Sequence, residues 1–365
     1  MSFAFTPEEQ SRVEVANFLG LHLDPIGYVD LSTIIVLSSM YLVEFFALCY
    51  QFYNRHYPPL RVKNVPLMCS LYVGGVAWFL GDIFTGGLVH LSQSSVLRSC
   101  KFTLVWLRAC IGAYYVTSLF ALRCFSLYYV FHKGMAFKGR VVYLSLGLTV
   151  FSIVLFGVIS MLVPTELTTR YEEIVDMCYT NRNYIIAVLI IIWSIWATTA
   201  VMSWRMRNIP FCFNERIEIL ATFVLLLVVS ILNTVCLLAI DVYPASLKWR
   251  TALIYSNHVC ASLGYWIVMG EATYNCLFHR ADYLQYWVNT LKEDEMERQY
   301  EYSIDFDSDI TLNLVGNSQP IATMPSKSSL VHAMERRSLE GTKVGESSSL
   351  QTQSSVYLVK ALDRK

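Results

Sequence analysis

Inside the long apolar runs of this chain stand a few side chains able to carry charge or exchange protons. Asp82 and Arg108 fall at similar depth in two such runs, and Asn257 and His258 in a third reach the same level. Ionisable groups in such surroundings are costly and mark functional sites by default. A carboxylate facing a guanidinium offsets much of that cost, either as a structural ion pair or as part of a polar ligand contact. Trp78, Trp106, Tyr114, Tyr115, Tyr255 and Tyr265 supply aromatic walls near these groups. A second set lies toward the opposite end of the runs: Glu44, Arg123, Glu215 and Glu218. Arg123 has a choice of these carboxylates. A breakable pair there would hold two helices together and let them part, as a two-state switch requires; static neutralisation of Arg123 is the alternative.

The elements that must position these residues follow from composition. Of 365 residues, 55% are hydrophobic and 15% charged, against about a quarter charged in soluble domains. The apolar blocks approach or exceed the roughly 18 residues of a bilayer-spanning helix, and backbone in lipid must bond to itself. The expected architecture is an all-α membrane protein: a seven-transmembrane helix bundle with an amphipathic juxtamembrane helix and a disordered C-terminal tail. The spans are expected at about 29–53, 66–89, 102–131, 141–163, 184–204, 218–240 and 251–271. Residues 1–27 are expected to be a short extracellular N-terminus without a cleavable leader or a folded domain, and 28–272 the bundle. Residues 273–300 place Leu277, Leu284, Trp287, Val288 and Leu291 on one helical face along the inner surface. The segment 301–365 is polar, Ser-rich and expected to be disordered, with clusters such as Ser347, Ser348 and Ser349 open to phosphorylation.

Orientation is set by Lys and Arg in short loops. Arg55, Arg61, Lys63, Lys133, Lys138, Arg140, Arg205, Arg207 and Arg216 fall on one side; Arg98, Lys101, Arg170, Arg182, Lys248 and Arg250 on the other. The richer side is taken as cytosolic, which leaves the N-terminus outside and the C-terminus in the cytosol of a plasma-membrane protein. In this topology only Cys100 and Cys178, of ten cysteines, lie on the oxidising face. A disulfide between them is expected, pinning the loop after span four over the bundle. Cys276, just past span seven, is a candidate for palmitoylation.

Seven spans, a Cys at the mouth of span three, a Cys in the fourth loop and an Arg low in span three together resemble G-protein-coupled receptors. The match is not to the rhodopsin-like class, because Leu122-Arg123-Cys124 replaces its D/E-R-Y triplet and N-P-x-x-Y is absent from span seven. The chain is more similar to fungal seven-span receptors related to those fused to a regulator-of-G-protein-signalling domain. Arg55-His56-Tyr57-Pro58-Pro59-Leu60 and Phe213-Asn214-Glu215-Arg216 carry that similarity, which covers about residues 28–290. The tail is too short and polar for a regulator domain. The resemblance implies a small ligand on one side and a heterotrimeric G protein (its Gα subunit) on the other. It further implies a resting lock between Arg123 and Glu218, with Asn214 and Glu215 at the coupling surface.

Other classes fit less well. A retinal-binding rhodopsin needs a Lys in span seven, and 251–271 has none. No His, Cys or carboxylate spacing suggests a metal, cofactor or enzyme site. The net charge of zero argues against nucleic acid. A transporter or channel with a polar path through Asp82, Arg108, Glu44 and Arg123 is the alternative.

Overall fold

In the computed structural model the apolar runs are helices, and the segments between them are short. The structure describes residues 7–293 apart from 19, 93, 134–139, 174, 206–214 and 241–242. A short helix α1 (Pro7–Phe18) precedes α2 (Tyr28–Tyr53), the small α3 (Pro58–Val62) and α4 (Val65–Thr85). Helix α5 is π-helical over Lys101–Tyr114 and α-helical over Tyr115–Lys133. Then come α6 (Arg140–Leu162), a hairpin of β1 (Thr169–Glu172) and β2 (Met177–Thr180), and α7 (Arg182–Arg205). Helices α8 (Glu215–Ala239), α9 (Leu247–Phe278) and α10 (Arg280–Glu293) follow.

Six of these are long and apolar enough to cross a membrane: Tyr28–Tyr53, Val65–Thr85, Lys101–Tyr129, Arg140–Leu162, Arg182–Arg205 and Ile217–Ala239. Their outward faces carry large exposed apolar side chains such as Ile35, Phe46, Leu148, Phe151, Ile190 and Val224. Apolar surface on this scale suits lipid, not water. The long helix α9 differs. Its 32 residues would extend about 48 Å at 1.5 Å each, and it packs against α8 and α2. Arg250, Asn257, His258 and Ser262 point from it into the protein and are buried.

Helix packing in lipid gains little from the hydrophobic effect and depends on close backbone approach at small residues. Helices α4 and α5 show this. A methyl group on Gly81 would lie 2.8 Å from the Arg108 Cα, and one on Gly112 would lie 2.9 Å from the Trp78 Cβ. The two backbones therefore touch where Asp82 and Arg108 leave their helices. Helix α6 closes on the same wall through Gly157, where a Cβ would meet the Trp106 ring at 2.7 Å.

The end that bears the hairpin, outer in the expected orientation as the α3 end is inner, is more structured than the sequence reading expects. Hairpin strands pair antiparallel, Thr169 with Thr180 and Tyr171 with Cys178. Cys178 is joined to Cys100 by the expected disulfide, with 5.6 Å between Cα atoms. The N-terminal segment is not a featureless lead-in, because α1 docks through Ala16 in one apolar cluster with Leu23, Met177 and Ala245. Helix α4 ends four residues before the expected limit, at Gly86 and Gly87, the latter with φ of +74°. At the other end α10 is amphipathic, but Trp287 is buried and Tyr283 and Leu284 pack on a core cluster containing Tyr57, Leu60 and Cys276. Part of its apolar face thus covers protein rather than lipid. The tail beyond Glu293, including the expected disordered segment, lies outside the described residues.

Candidate functional site: a capped cavity over a buried polar relay

A cavity of about 430 Å³ opens at the outer end between α5, α7 and α8, beneath the hairpin and the Tyr243–Ala245 turn. Its volume is in the range of small-molecule sites, which are mostly apolar with a few placed polar groups. The apolar lining includes Leu104, Val188, Leu189 and Ile192; the polar lining includes Arg108, Asn233 and Tyr243. The expected polar contacts Asp82, Arg108, Asn257 and His258 stand on spans two, three and seven. The observed cavity has α7 as a wall in place of α9, because α9 is drawn against α2 and α8.

Arg108 is the expected pocket residue that faces this space. Its Nε pairs with Asp82 at 2.8 Å, and its Nη1 donates to the Thr85 hydroxyl at 3.2 Å. Asp82 is fully buried behind it. The second carboxylate oxygen of Asp82 accepts from Asn257 Nδ2 at 3.0 Å and lies 3.2 Å from His258 Nε2. With Nε2 donating, His258 Nδ1 is the acceptor facing the Tyr41 hydroxyl at 2.9 Å. Asn257 Oδ1 in turn accepts from Asn233 Nδ2. Two cavity-lining residues on different helices, Arg108 and Asn233, therefore meet at Asp82. The relay links α4, α5, α8 and α9 and reaches α2 through Tyr41. Asp82, Asn257 and His258 support the cavity from behind without lining it. Tyr114 belongs elsewhere: its hydroxyl donates to Ser152 on α6 at 3.1 Å, and its ring packs edge-on against Phe156.

The lid over the cavity is tied down by a polar knot. Asp176, at φ of +49°, accepts from the Leu91 amide at 3.1 Å and from the Tyr171 hydroxyl at 2.7 Å, and lies 3.2 Å from His90 Nδ1. The other nitrogen of His90 lies 3.5 Å from Glu9, and Arg12 donates to the Val175 carbonyl at 3.0 Å. Burial acts to raise the Asp176 carboxyl. Hydrogen bonds from His90 and Tyr171 and the charge of Arg12 outweigh it and hold the carboxyl below its ordinary value. Lys101 caps the adjacent end of α6 by donating to the Met161 and Val163 carbonyls at 2.8 and 2.6 Å.

One strong pair escaped the sequence reading. Arg250, counted there only as a loop charge, is fully buried and forks onto both oxygens of Asp30 at 2.9 and 2.7 Å. It also donates to the carbonyls of Asp24 and Pro25 at 3.0 Å each. Opposite charges at the outer starts of the first and last long helices were the available signal.

At the inner end the expected Arg123–Glu218 contact takes a different form. Glu218 on α8 is paired with the Lys63 ammonium, both nearly buried. Arg123 on α5 donates through Nη1 to the Lys63 carbonyl at 3.3 Å and to the Met68 sulfur at 3.4 Å. Lys63, at the end of α3, thus connects α5 and α8, because its loop reaches under the bundle and intercepts the carboxylate. Glu44 is buried on α2, and its Oε1 has no hydrogen-bond partner. Glu215 opens α8, but its side chain and all of Asn214 lie outside what the structure describes, so neither is placed.

The segment Arg55–Leu60 docks the inner loop. Tyr57 is buried, its hydroxyl donates to the Arg280 carbonyl at 3.0 Å, and the Arg280 guanidinium sits 5.3 Å from its ring centre. Burial pushes its phenol up to about 12. Leu60 is fully buried in the same cluster. Cys276, the expected acylation candidate, is 2% exposed, and Tyr50 donates to its sulfur at 3.6 Å, so the thiol faces the bundle. Among the described residues no cluster of three or more His, Cys, Asp or Glu is placed to hold a metal. Comparison with models of known protein families and with curated proteins found no match to this chain, and its function is therefore argued from the site itself.

Proposed function

We propose that this chain is a seven-span receptor that binds a small ligand in the outer cavity and signals to a heterotrimeric G protein. Helix α9 is taken as the seventh crossing, with α10 along the inner surface. The observation that carries the reading is the relay in which cavity-facing Arg108 and Asn233 converge on buried Asp82. A ligand that moves either side chain alters the hydrogen bonds holding four helices. Its binding energy then falls on their relative positions, which is the differential contact that a ligand-driven switch needs.

The Lys63–Glu218 pair and the Arg123 contact to the Lys63 carbonyl supply the inner latch. Release of Lys63 would free the first turn of α8 from α3 and α5. The disulfide at the hairpin supports an outer location for the cavity, since such bonds persist in oxidising compartments. The bias of Lys and Arg supports the same orientation.

The test is nucleotide exchange on purified heterotrimers added to the full chain in lipid nanodiscs. Lys63→Ala is expected to raise basal exchange several-fold over the native chain. A transporter reading draws support from the buried stripe of Asp30, Tyr41, Glu44 and Gln51 along α2. It predicts solute or ion flux into liposomes with no effect on any G protein.

A further inference from the structure

The chemistry of the cavity lining narrows what it can take, on the reading of this cavity as the ligand site. Among the described residues, the charged side chains lining it are Arg108, Arg170 and Glu172. Each cation already has its acid: Arg108 is paired with Asp82 at 2.8 Å and Arg170 with Glu172 at 3.3 Å. An anionic head would add an uncompensated charge beside apolar walls, and a cationic head would face the Arg108 guanidinium. Either would carry a desolvation cost with no full partner to offset it.

The walls nevertheless hold polar capacity. The Tyr243 hydroxyl belongs to a side chain 6% exposed; the Arg108 guanidinium faces its oxygen as a donor, and among the described residues no acceptor takes its proton. Its ring centre is 5.6 Å from the guanidinium carbon of Arg108. A buried O–H proton without an acceptor is expensive, and this one belongs to a side chain on the cavity wall, beside a guanidinium whose Nε and Nη1 are committed to Asp82 and Thr85. One acceptor oxygen from a ligand would complete the set. The apolar space beyond it, walled by Leu104, Val188, Leu189 and Ile192, suits a hydrocarbon body.

We propose that the cavity binds a neutral amphiphile: an apolar body ending in a single carbonyl, ester or hydroxyl oxygen that accepts from Tyr243 and Arg108. Charged amphiphiles of the same length are excluded by the balanced charges of the lining. No covalent step is involved.

The experiment uses the full chain in nanodiscs and photoreactive twelve-carbon probes that differ only at one end: methyl ester, alcohol, carboxylate, trimethylammonium or plain methyl. Probes are compared at equal concentration in the bilayer, and labelled peptides are located by mass spectrometry. The ester and alcohol should label peptides of α7 and α8 about tenfold more than the charged and plain probes, the value of roughly one buried hydrogen bond. Tyr243→Phe, which keeps the ring, should cut ester labelling about fivefold and leave the plain probe unchanged. Leu189→Trp should block every probe by filling the space. Preference for the carboxylate or the ammonium, or equal labelling by ester and plain probes with no effect of Tyr243→Phe, overturns the ligand class while leaving the cavity a binding site. Failure of all probes to label α7 and α8, with Leu189→Trp indistinguishable from the native chain, overturns the ligand-site reading as well.

Discussion

Replacing Asp82 with Asn removes the charge on which the whole relay converges. Asp82 is fully buried and the Arg108 side chain is 14% exposed, with 2.8 Å between them. Taking one partner from such a pair leaves the other charge buried and alone, a loss of about 3–5 kcal/mol. The amide oxygen of the new Asn can still accept from Asn257 and His258, which places the expected cost near the lower end, about 3 kcal/mol. Its NH2 group would meet the guanidinium donor to donor. Arg108→Met strands the carboxylate instead and should cost a similar amount. In the double variant neither charge is left to strand, so its cost should fall short of the sum of the singles by about 2–3 kcal/mol. The assay is denaturant unfolding of the purified protein in mild micelles, read by near-ultraviolet circular dichroism for the native chain, both singles and the double. Single effects below about 1 kcal/mol that add within about 0.5 kcal/mol would refute the claim that this pair holds α4 to α5.

Three further expectations follow from other parts of the molecule. The Asp176 carboxyl is held below its ordinary value; its contribution to the lid is present above the unfolded value of about 3.9 and is lost as pH falls through the lower folded value. Protection of the β1 and β2 amides, taken relative to the intrinsic exchange rate at each pH, should therefore fall on acidification toward pH 3, and Asp176→Asn should weaken it at neutral pH; protection indifferent to both changes rules out the knot. Gly81→Leu should part α4 from α5 and cost more than the roughly 1–3 kcal/mol typical of overpacking, while Gly147→Leu, where a Cβ meets nothing within 4 Å, should be near neutral; equal thermal stability of the two variants contradicts the close packing. Cys276→Ser should leave incorporation of alkynyl palmitate unchanged in cells, and loss of the label would show that the thiol leaves its place beside Tyr50.

How much of this was legible beforehand depends on the kind of signal. The six apolar helices announce themselves by length, because backbone in lipid has few options, and their observed limits stay within a few residues of the expected ones. Asp82 and Arg108 were legible as a pair because unpaired charge at that depth is too costly to leave standing. The same logic applied to Asp30 and Arg250 would have found that pair too, but their place at helix ends let them pass as loop charges. Lys63 could not be found from the inner charges alone: its role depends on α3 folding under the bundle, a tertiary event with no periodic signature. Tyr114 shows the reverse failure. It shares a helix with Arg108, but the π-helical stretch Lys101–Tyr114 alters the angular spacing, and the phenol is delivered to α6. The hairpin has four-residue strands, which are weak in sequence and are stabilised here by the Cys100–Cys178 bond and the Asp176 knot.

The central claim is that the inner latch gates a G protein. Its most direct test is guanine-nucleotide exchange by a panel of purified heterotrimers on nanodiscs holding the native chain, Lys63→Ala or Glu218→Gln, beside empty discs. The account predicts that at least one heterotrimer exchanges faster on the native chain than on empty discs, and several-fold faster again on both variants. Exchange no faster than on empty discs for every heterotrimer and all three proteins, with native circular dichroism retained, would contradict it.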